Sequence, residues 1–160
     1  MRILTRILPY LWTLLATLAG AAGCSRMDTL TPAILQESEG KWRASQPDFY
    51  RLVIEMGGDR VEIGRFEVLV RSGTVVSVRR NGQAILPERG QDYSMDGLFR
   101  ILKQELGLIE KPALLGSPPG YSAYAMARFD PETGRLVQYR RAVGGASNTI
   151  DIRVVEYQPQ

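Results

Sequence analysis

The side chains that most often do chemistry are scarce here. The 160-residue sequence has no histidine and a single cysteine, Cys24. Within this chain that excludes imidazole acid–base catalysis, Ser-His-Asp and Cys-His nucleophilic sites, His-ligated metals and internal disulfides. A pair of carboxylates can still hydrolyse a glycosidic bond without histidine. The acids closest in sequence are Glu37/Glu39, Asp130/Glu132 and Glu55/Asp59. The first pair falls on an expected helix face, the second in a turn and the third around a loop, so surface solubility explains them better than a cleft. Asp130 reads as the cap of its own turn. A calcium loop needs more alternating carboxylates than Asp130 and Glu132 supply. Gly57-Gly58 and Gly144-Gly145 lack the lysine and following helix of a phosphate loop. No cofactor and no metal site are expected.

Strand parity defines a second set. If Tyr50, Leu52 and Ile54 face a core, Arg51 faces away from it. The same period of two assigns Arg71, Arg79, Arg128, Arg140 and Arg153 to that open face, joined by Tyr124 and Tyr157. A guanidinium-lined face suits anionic lipid headgroups, glycans or an acidic protein surface. The plainer account is a solvated face balanced by Glu55, Glu67 and Asp151 across the strands. A register slip of one residue would scatter the set.

The N-terminus carries the clearest message. Arg2 and Arg6 form a short basic region, Ile7 to Leu18 is apolar, and Ala19 to Gly23 is a run of small residues ending at Cys24. The apolar run is too short for a bilayer span of ~20 residues and matches a secretory signal. Ala21-Ala22-Gly23-Cys24 resembles the lipobox of bacterial lipoproteins, with Ala21 where leucine is usual. Diacylglyceryl transfer needs a thiol on an open, extended segment, and cleavage before the cysteine frees an amine for a further acyl chain. Several chains anchor stably, because each buried CH₂ contributes ~0.8 kcal/mol. The expected organisation is a signal peptide over 1–23, a lipidated Cys24 with a tether over 24–31, and one domain over 32–160. Lipid anchoring to the cell membrane or outer membrane follows, facing the periplasm or exterior. By resemblance to enterobacterial sorting, Ser25 permits transfer to the outer membrane.

Removing the leader also removes Arg2 and Arg6, leaving 18 basic and 17 acidic residues of the 20 and 17 in the full sequence. A balance near zero cannot steer a polyanion, so nucleic-acid binding is not expected. The excess of arginine over lysine, 17 to 3, reads as the codon bias of a GC-rich genome.

The elements that must position these residues follow from caps, turns and periodicity. Thr31-Pro32 starts a helix to about Ala44. Phe49–Met56, Phe66–Arg71 and Thr74–Arg80 read as strands, the last two joined through Ser72-Gly73. Asn81-Gly82 ends that sheet segment, and 83–93 reads as a polar loop. Ser94 caps a second helix with Met95, Leu98, Leu102 and Leu106 at helical spacing, and Gly107 ends it. After a Pro/Gly loop over 108–120, Tyr121–Phe129, Arg135–Val143 and Thr149–Tyr157 read as strands. The fold class is α+β: an antiparallel sheet of about six strands in helix–three strands–helix–three strands order, with both helices on one face.

Four motifs then stand in series: Trp42 with Tyr50; Val68 to Val78 with its Arg71-Ser72-Gly73-Thr74 turn; Ser94-Met95-Asp96-Gly97-Leu98-Phe99; and Phe129-Asp130-Pro131-Glu132-Thr133-Gly134. In this order and spacing, over about residues 40–157, the chain resembles an uncharacterised bacterial lipoprotein family, a domain of unknown function. It departs after Gly134, where the family tends to an aromatic and a proline and this chain has Arg135 and Leu136. The resemblance implies a fold and carries no activity.

The expectation is therefore a non-catalytic envelope lipoprotein, held to the membrane through Cys24, that binds an envelope protein or an anionic polymer or plays a structural part. Two alternatives stand beside it. One is a periplasmic inhibitor that plugs a hydrolase with loop 83–93 or 108–120, by fold-level analogy. The other is a histidine-free carboxylate hydrolase, which needs two acids converging in a pocket.

Overall fold

The computed structural model describes residues 26–59, 63–86 and 92–160; the expected leader and Cys24 lie outside them. A short strand β1 (Asp28–Thr29) precedes helix α1 (Pro32–Ser45) and the strands β2 (Phe49–Gly58), β3 (Gly64–Arg71), β4 (Thr74–Arg80) and β5 (Gln83–Ala84). Helix α2 (Met95–Ile109) and a 3-10 turn (Pro112–Leu115) follow, then β6 (Ala123–Phe129), β7 (Leu136–Val143) and β8 (Ala146–Pro159).

All strands belong to one sheet in the order β1-β6-β7-β8-β2-β3-β4-β5, paired antiparallel throughout. Two meanders, β2–β5 and β6–β8, meet through the long β8 against β2. The α+β class and antiparallel sheet are as expected, but the sheet has eight strands rather than about six. The order is strand, helix, four strands, helix, three strands. Both extra strands are two residues long and lie at the edges, below the length at which alternation can be read.

Each has a local cause. β5 exists because Asn81-Gly82 turns the chain instead of ending the sheet: φ is 50° at Asn81 and 83° at Gly82, the left-handed pair of a tight hairpin. Gln83 then pairs with Arg80. β1 forms inside the segment expected to be tether. Asp28 pairs with Ala127, and the Leu30 N–H donates to the Ala125 carbonyl at 2.9 Å. Leu30 is buried, so the domain begins before residue 32.

The helices start where their caps stand. Thr31 Oγ1 accepts from Ile34 N–H at 3.3 Å, and Ser94 Oγ from Gly97 N–H at 3.0 Å. α2 runs past Gly107 to Ile109, because Leu106 and Ile109 still pack against the core and outweigh one glycine's ~1 kcal/mol. Leu35 and Trp42 of α1 and Met95, Leu98, Phe99 and Leu102 of α2 join Leu52, Ile54, Phe66, Val68, Tyr139, Ile150 and Ile152 in one buried cluster. Both helices thus cover the same face of the sheet. Among the described residues every element, and every residue of that cluster, falls between Asp28 and Pro159, so residues 26–160 bring one shared core with them. Among the described residues no helix is long and apolar enough to cross a membrane.

Candidate functional site

Pairing registers locate the six arginines. Leu52, Val68, Ile152, Tyr139 and Ala127 point to the helices, which puts Arg51, Arg71, Arg79, Arg128, Arg140 and Arg153 at the alternate positions, on the helix-free face. They are not equivalent. Arg51 donates to Glu67 at 3.0 Å and to Glu156 at 2.6 Å. Those carboxylates flank Val53 in register on either side, which accounts for Val53 being fully buried on the open face. Arg140 bridges to its cross-strand partner Asp151 at 2.9 Å. Arg71 lies over the Phe49 ring, 5.7 Å from its centroid. Arg79, Arg128 and Arg153 have no carboxylate at ion-pair distance among the described residues. In register, Arg128, Gln138 and Arg153 form one cross-strand row, with Glu55 next and turned toward Arg65 at 3.4 Å.

Tyr124 lies on this face and is exposed. Tyr157 does not. The register shifts at Val53/Ile54, where Val155 is an extra residue, so parity inverts and Tyr157 pairs with Leu52 on the core side. Its ring meets Trp42 and Tyr50 at centroid distances of 6.1 and 5.8 Å.

That inversion completes a cluster at one end of the sheet. Trp42 and Tyr50 pack edge to face at 5.5 Å. Asp96, in the first turn of α2, accepts from Trp42 Nε1 at 3.2 Å and from Gln46 Nε2 at 3.0 Å. Met95 N–H donates to the Tyr50 hydroxyl at 3.2 Å. Burial pushes the Tyr50 hydroxyl far above the usual phenol range, so it stays protonated. Asp130 folds its own turn, accepting from Thr133 N–H at 2.9 Å and Thr133 Oγ1 at 2.8 Å. Burial alone would raise its carboxyl; the Thr133 hydrogen bonds and the Arg135 charge outweigh that and hold it below the ordinary value. The turn lies against α1, with Ser45 Oγ donating to the Thr133 carbonyl at 3.1 Å. Gly134 sits so close that a Cβ there would fall 2.1 Å from the Ser38 carbonyl oxygen. Three motifs distant in sequence therefore meet here as a clasp of α1, α2 and the β6–β7 turn.

A second polar group leaves only a faint signal in the sequence. Arg141 is fully buried on the helix side of β7, donating to Glu105 of α2 at 2.5 Å and to Asn148 Oδ1 at 2.6 Å. Asn148 passes the link to the Leu115 carbonyl at 2.8 Å. The Tyr139 hydroxyl donates to Glu105 at 3.4 Å, and burial, then the Glu105 charge, keep it protonated well above the ordinary range. The available signal was a charge interrupting each apolar stripe: Glu105 after Leu98 and Leu102, Arg141 after Tyr139.

The paired acids do not converge on a cleft. Glu37 bridges Lys41 at 2.8 Å, Glu39 bridges Arg43 at 2.6 Å and Lys103 at 2.7 Å, and Asp59 receives Thr149 N–H at 3.2 Å. Among the described residues, no group of three or more Cys, Asp or Glu side chains is placed to hold a metal ion. One groove of about 650 Å³ separates α1 from α2 over Leu35 and Leu106. Another, of about 510 Å³, opens where β1, α1 and the β6–β7 turn meet.

No protein-family model matches the chain, and no curated protein matches it.

Proposed function

We propose that this chain is a bacterial envelope lipoprotein, anchored through Cys24, whose domain is a non-catalytic binding or structural module. Its recognition surface is the helix-free sheet face, and its partner is an acidic protein surface or an anionic envelope polymer. The carrying observation is that Arg79, Arg128 and Arg153 share that face without carboxylate partners among the described residues, while Arg51 and Arg140 are neutralised locally. Guanidinium forks left unpaired on a rigid sheet suit planar anionic groups. The Ala21-Ala22-Gly23-Cys24 sequence supports the anchor, and the motif series supports kinship with the uncharacterised lipoprotein family.

Crosslinking in intact cells, capture and mass spectrometry test the recognition. The wild type is compared with a variant carrying Arg71→Glu, Arg79→Glu and Arg153→Glu. Loss of one reproducible partner in the variant supports the sheet face, and retention of every partner overturns it. Cys24→Ala with cell fractionation tests the anchor: a processed variant that stays in the membrane pellet refutes it.

An inhibitor working through its loops is the second reading. Leu86, Leu114 and Tyr121 are 95, 64 and 57 % exposed and lie in or beside the two loops expected to plug an enzyme. A partner kept by the arginine variant but lost on Leu114→Ser and Tyr121→Ser would favour it.

A further inference from the structure

The groove beside β1 lies where the chain enters the domain. β1 runs antiparallel to β6 with Asp28 opposite Ala127, so Arg26 extends toward Phe129 and the Asp130 turn. Charges on its wall are Arg26, Asp28, Glu37, Arg128, Asp130 and Arg135. Three of the six already have partners. Arg135 bridges Asp130 at 3.3 Å and lies over the Tyr157 ring at 5.1 Å, and Glu37 is held by Lys41. Among the described residues Arg26 and Arg128 have none, against one unbridged acid, Asp28. Arg128 Nε is buried with no hydrogen-bond partner. A buried N–H without an acceptor is costly.

We propose that this groove takes the phosphate group of an anionic phospholipid headgroup through Arg26 and Arg128, docking the domain on the membrane that carries its anchor. The docking geometry rests on the lipoprotein reading above. Cys24 is two residues from Arg26, and two residues span at most ~7 Å of extended chain. The headgroup layer on each side of a bilayer is about 5–7 Å deep, so a lipidated Cys24 holds the groove at headgroup level. The volume of about 510 Å³ admits a glycerol phosphate moiety. Arg26 and Arg128 both line the groove, and a phosphodiester, with one negative charge shared by two non-bridging oxygens, can accept from a guanidinium on each of them.

The test uses residues 26–160, which hold every described element and the shared core and omit Cys24. Cosedimentation with phosphatidylglycerol vesicles at about 100 mM salt, where surface charge is screened beyond ~10 Å, is compared with phosphatidylcholine vesicles. The expected result is preferential binding to phosphatidylglycerol, weakened about tenfold or more by Arg26→Gln with Arg128→Gln and unchanged by Lys111→Gln, an exposed cation just beyond the C-terminal end of α2. Arg26→Gln alone, outside every element, weakens binding without touching the fold, and thermal melting verifies that each variant is folded. Equal binding by wild type and double variant overturns the proposal, as does an equal loss in Lys111→Gln, which would mean diffuse charge. Glycerol phosphate is titrated in parallel by NMR; binding there with the same residue dependence, but none to vesicles, makes the source a soluble ester and overturns docking. A domain that binds vesicles while Cys24 proves unlipidated fails the anchoring reading alone. A lipidated chain whose domain ignores the vesicles fails this proposal alone.

Discussion

Removing Glu105 should cost more than removing any other surface or boundary charge in the domain. Arg141 has no solvent exposure, its Nε is unpartnered, and its strongest contact is the 2.5 Å bond to Glu105. Glu105→Leu leaves that guanidinium in the core with only Asn148 as acceptor. Stranding one member of a buried pair typically costs about 3–5 kcal/mol. For a domain of this size that corresponds to a fall in Tm of roughly 10–20 °C. Arg141→Met should cost less, because the Glu105 side chain keeps 10 % exposure and can turn toward water. The double variant should return to within about 2 kcal/mol of wild type, since apolar replacement of a whole buried pair is often neutral or stabilising. Urea unfolding of residues 26–160 reads this directly through fluorescence, with buried Trp42 the sole tryptophan in that range. A Glu105→Leu cost below about 1 kcal/mol, or additive single costs in the double variant, would refute the buried-pair argument.

Other perturbations separate strain, space and titration. Gly134→Ala forces a Cβ to 2.1 Å from the Ser38 carbonyl at a φ of 71° and should cost more than about 2 kcal/mol in urea unfolding. Gly40→Ala, with nothing within 4 Å of its Cβ on exposed α1, should instead stabilise by up to about 1 kcal/mol. Asp130→Asn should lower stability at neutral pH yet flatten its acid dependence. The native carboxyl is held below the unfolded value of about 3.9, so its contribution is full above that pH and lost as pH falls through the native value. Thermal melts between about pH 6 and pH 2 check this. Asp96→Ala removes the acceptor shared by Trp42 Nε1 and Gln46 Nε2, and should cost about 1–3 kcal/mol with a changed Trp42 emission.

Local rules with short reach were legible. Thr31-Pro32 and Ser94 announced their helices through caps that need three residues of context, and Ser72-Gly73 announced its hairpin. What escaped depends on distant partners. Asp28–Thr29 carries no alternation and becomes a strand only because the edge of β6 is open to it. Counting twos along β8 puts Tyr157 on the open face, and the extra residue Val155 reverses the count. Arg141 looked like any strand arginine because its compensating charge sits 36 residues earlier on another element. The arginines keep their parity because Arg140 precedes the shift in β7, Arg153 precedes the bulge in β8, and Arg71 and Arg79 stand on opposite sides of a shift between β3 and β4 that restores theirs.

The clasp bears on what a motif resemblance can mean. Trp42, Tyr50, Asp96 and the Asp130–Gly134 turn spend their polar atoms on one another, so they maintain a scaffold and leave little for a ligand. Arg79, Arg128 and Arg153 belong to none of these contacts. Stability and recognition should therefore come apart under mutation. Variants of the clasp should lower the unfolding midpoint, with binding per folded molecule unchanged. Arginine variants should leave the midpoint within about 0.5 kcal/mol of wild type, as surface substitutions usually do, while weakening capture of the anionic partner. Measuring both quantities on Asp96→Ala and Arg153→Gln decides it. If Asp96→Ala abolishes binding in molecules that remain folded, the clasp itself is the recognition site and the division between scaffold and arginine face fails.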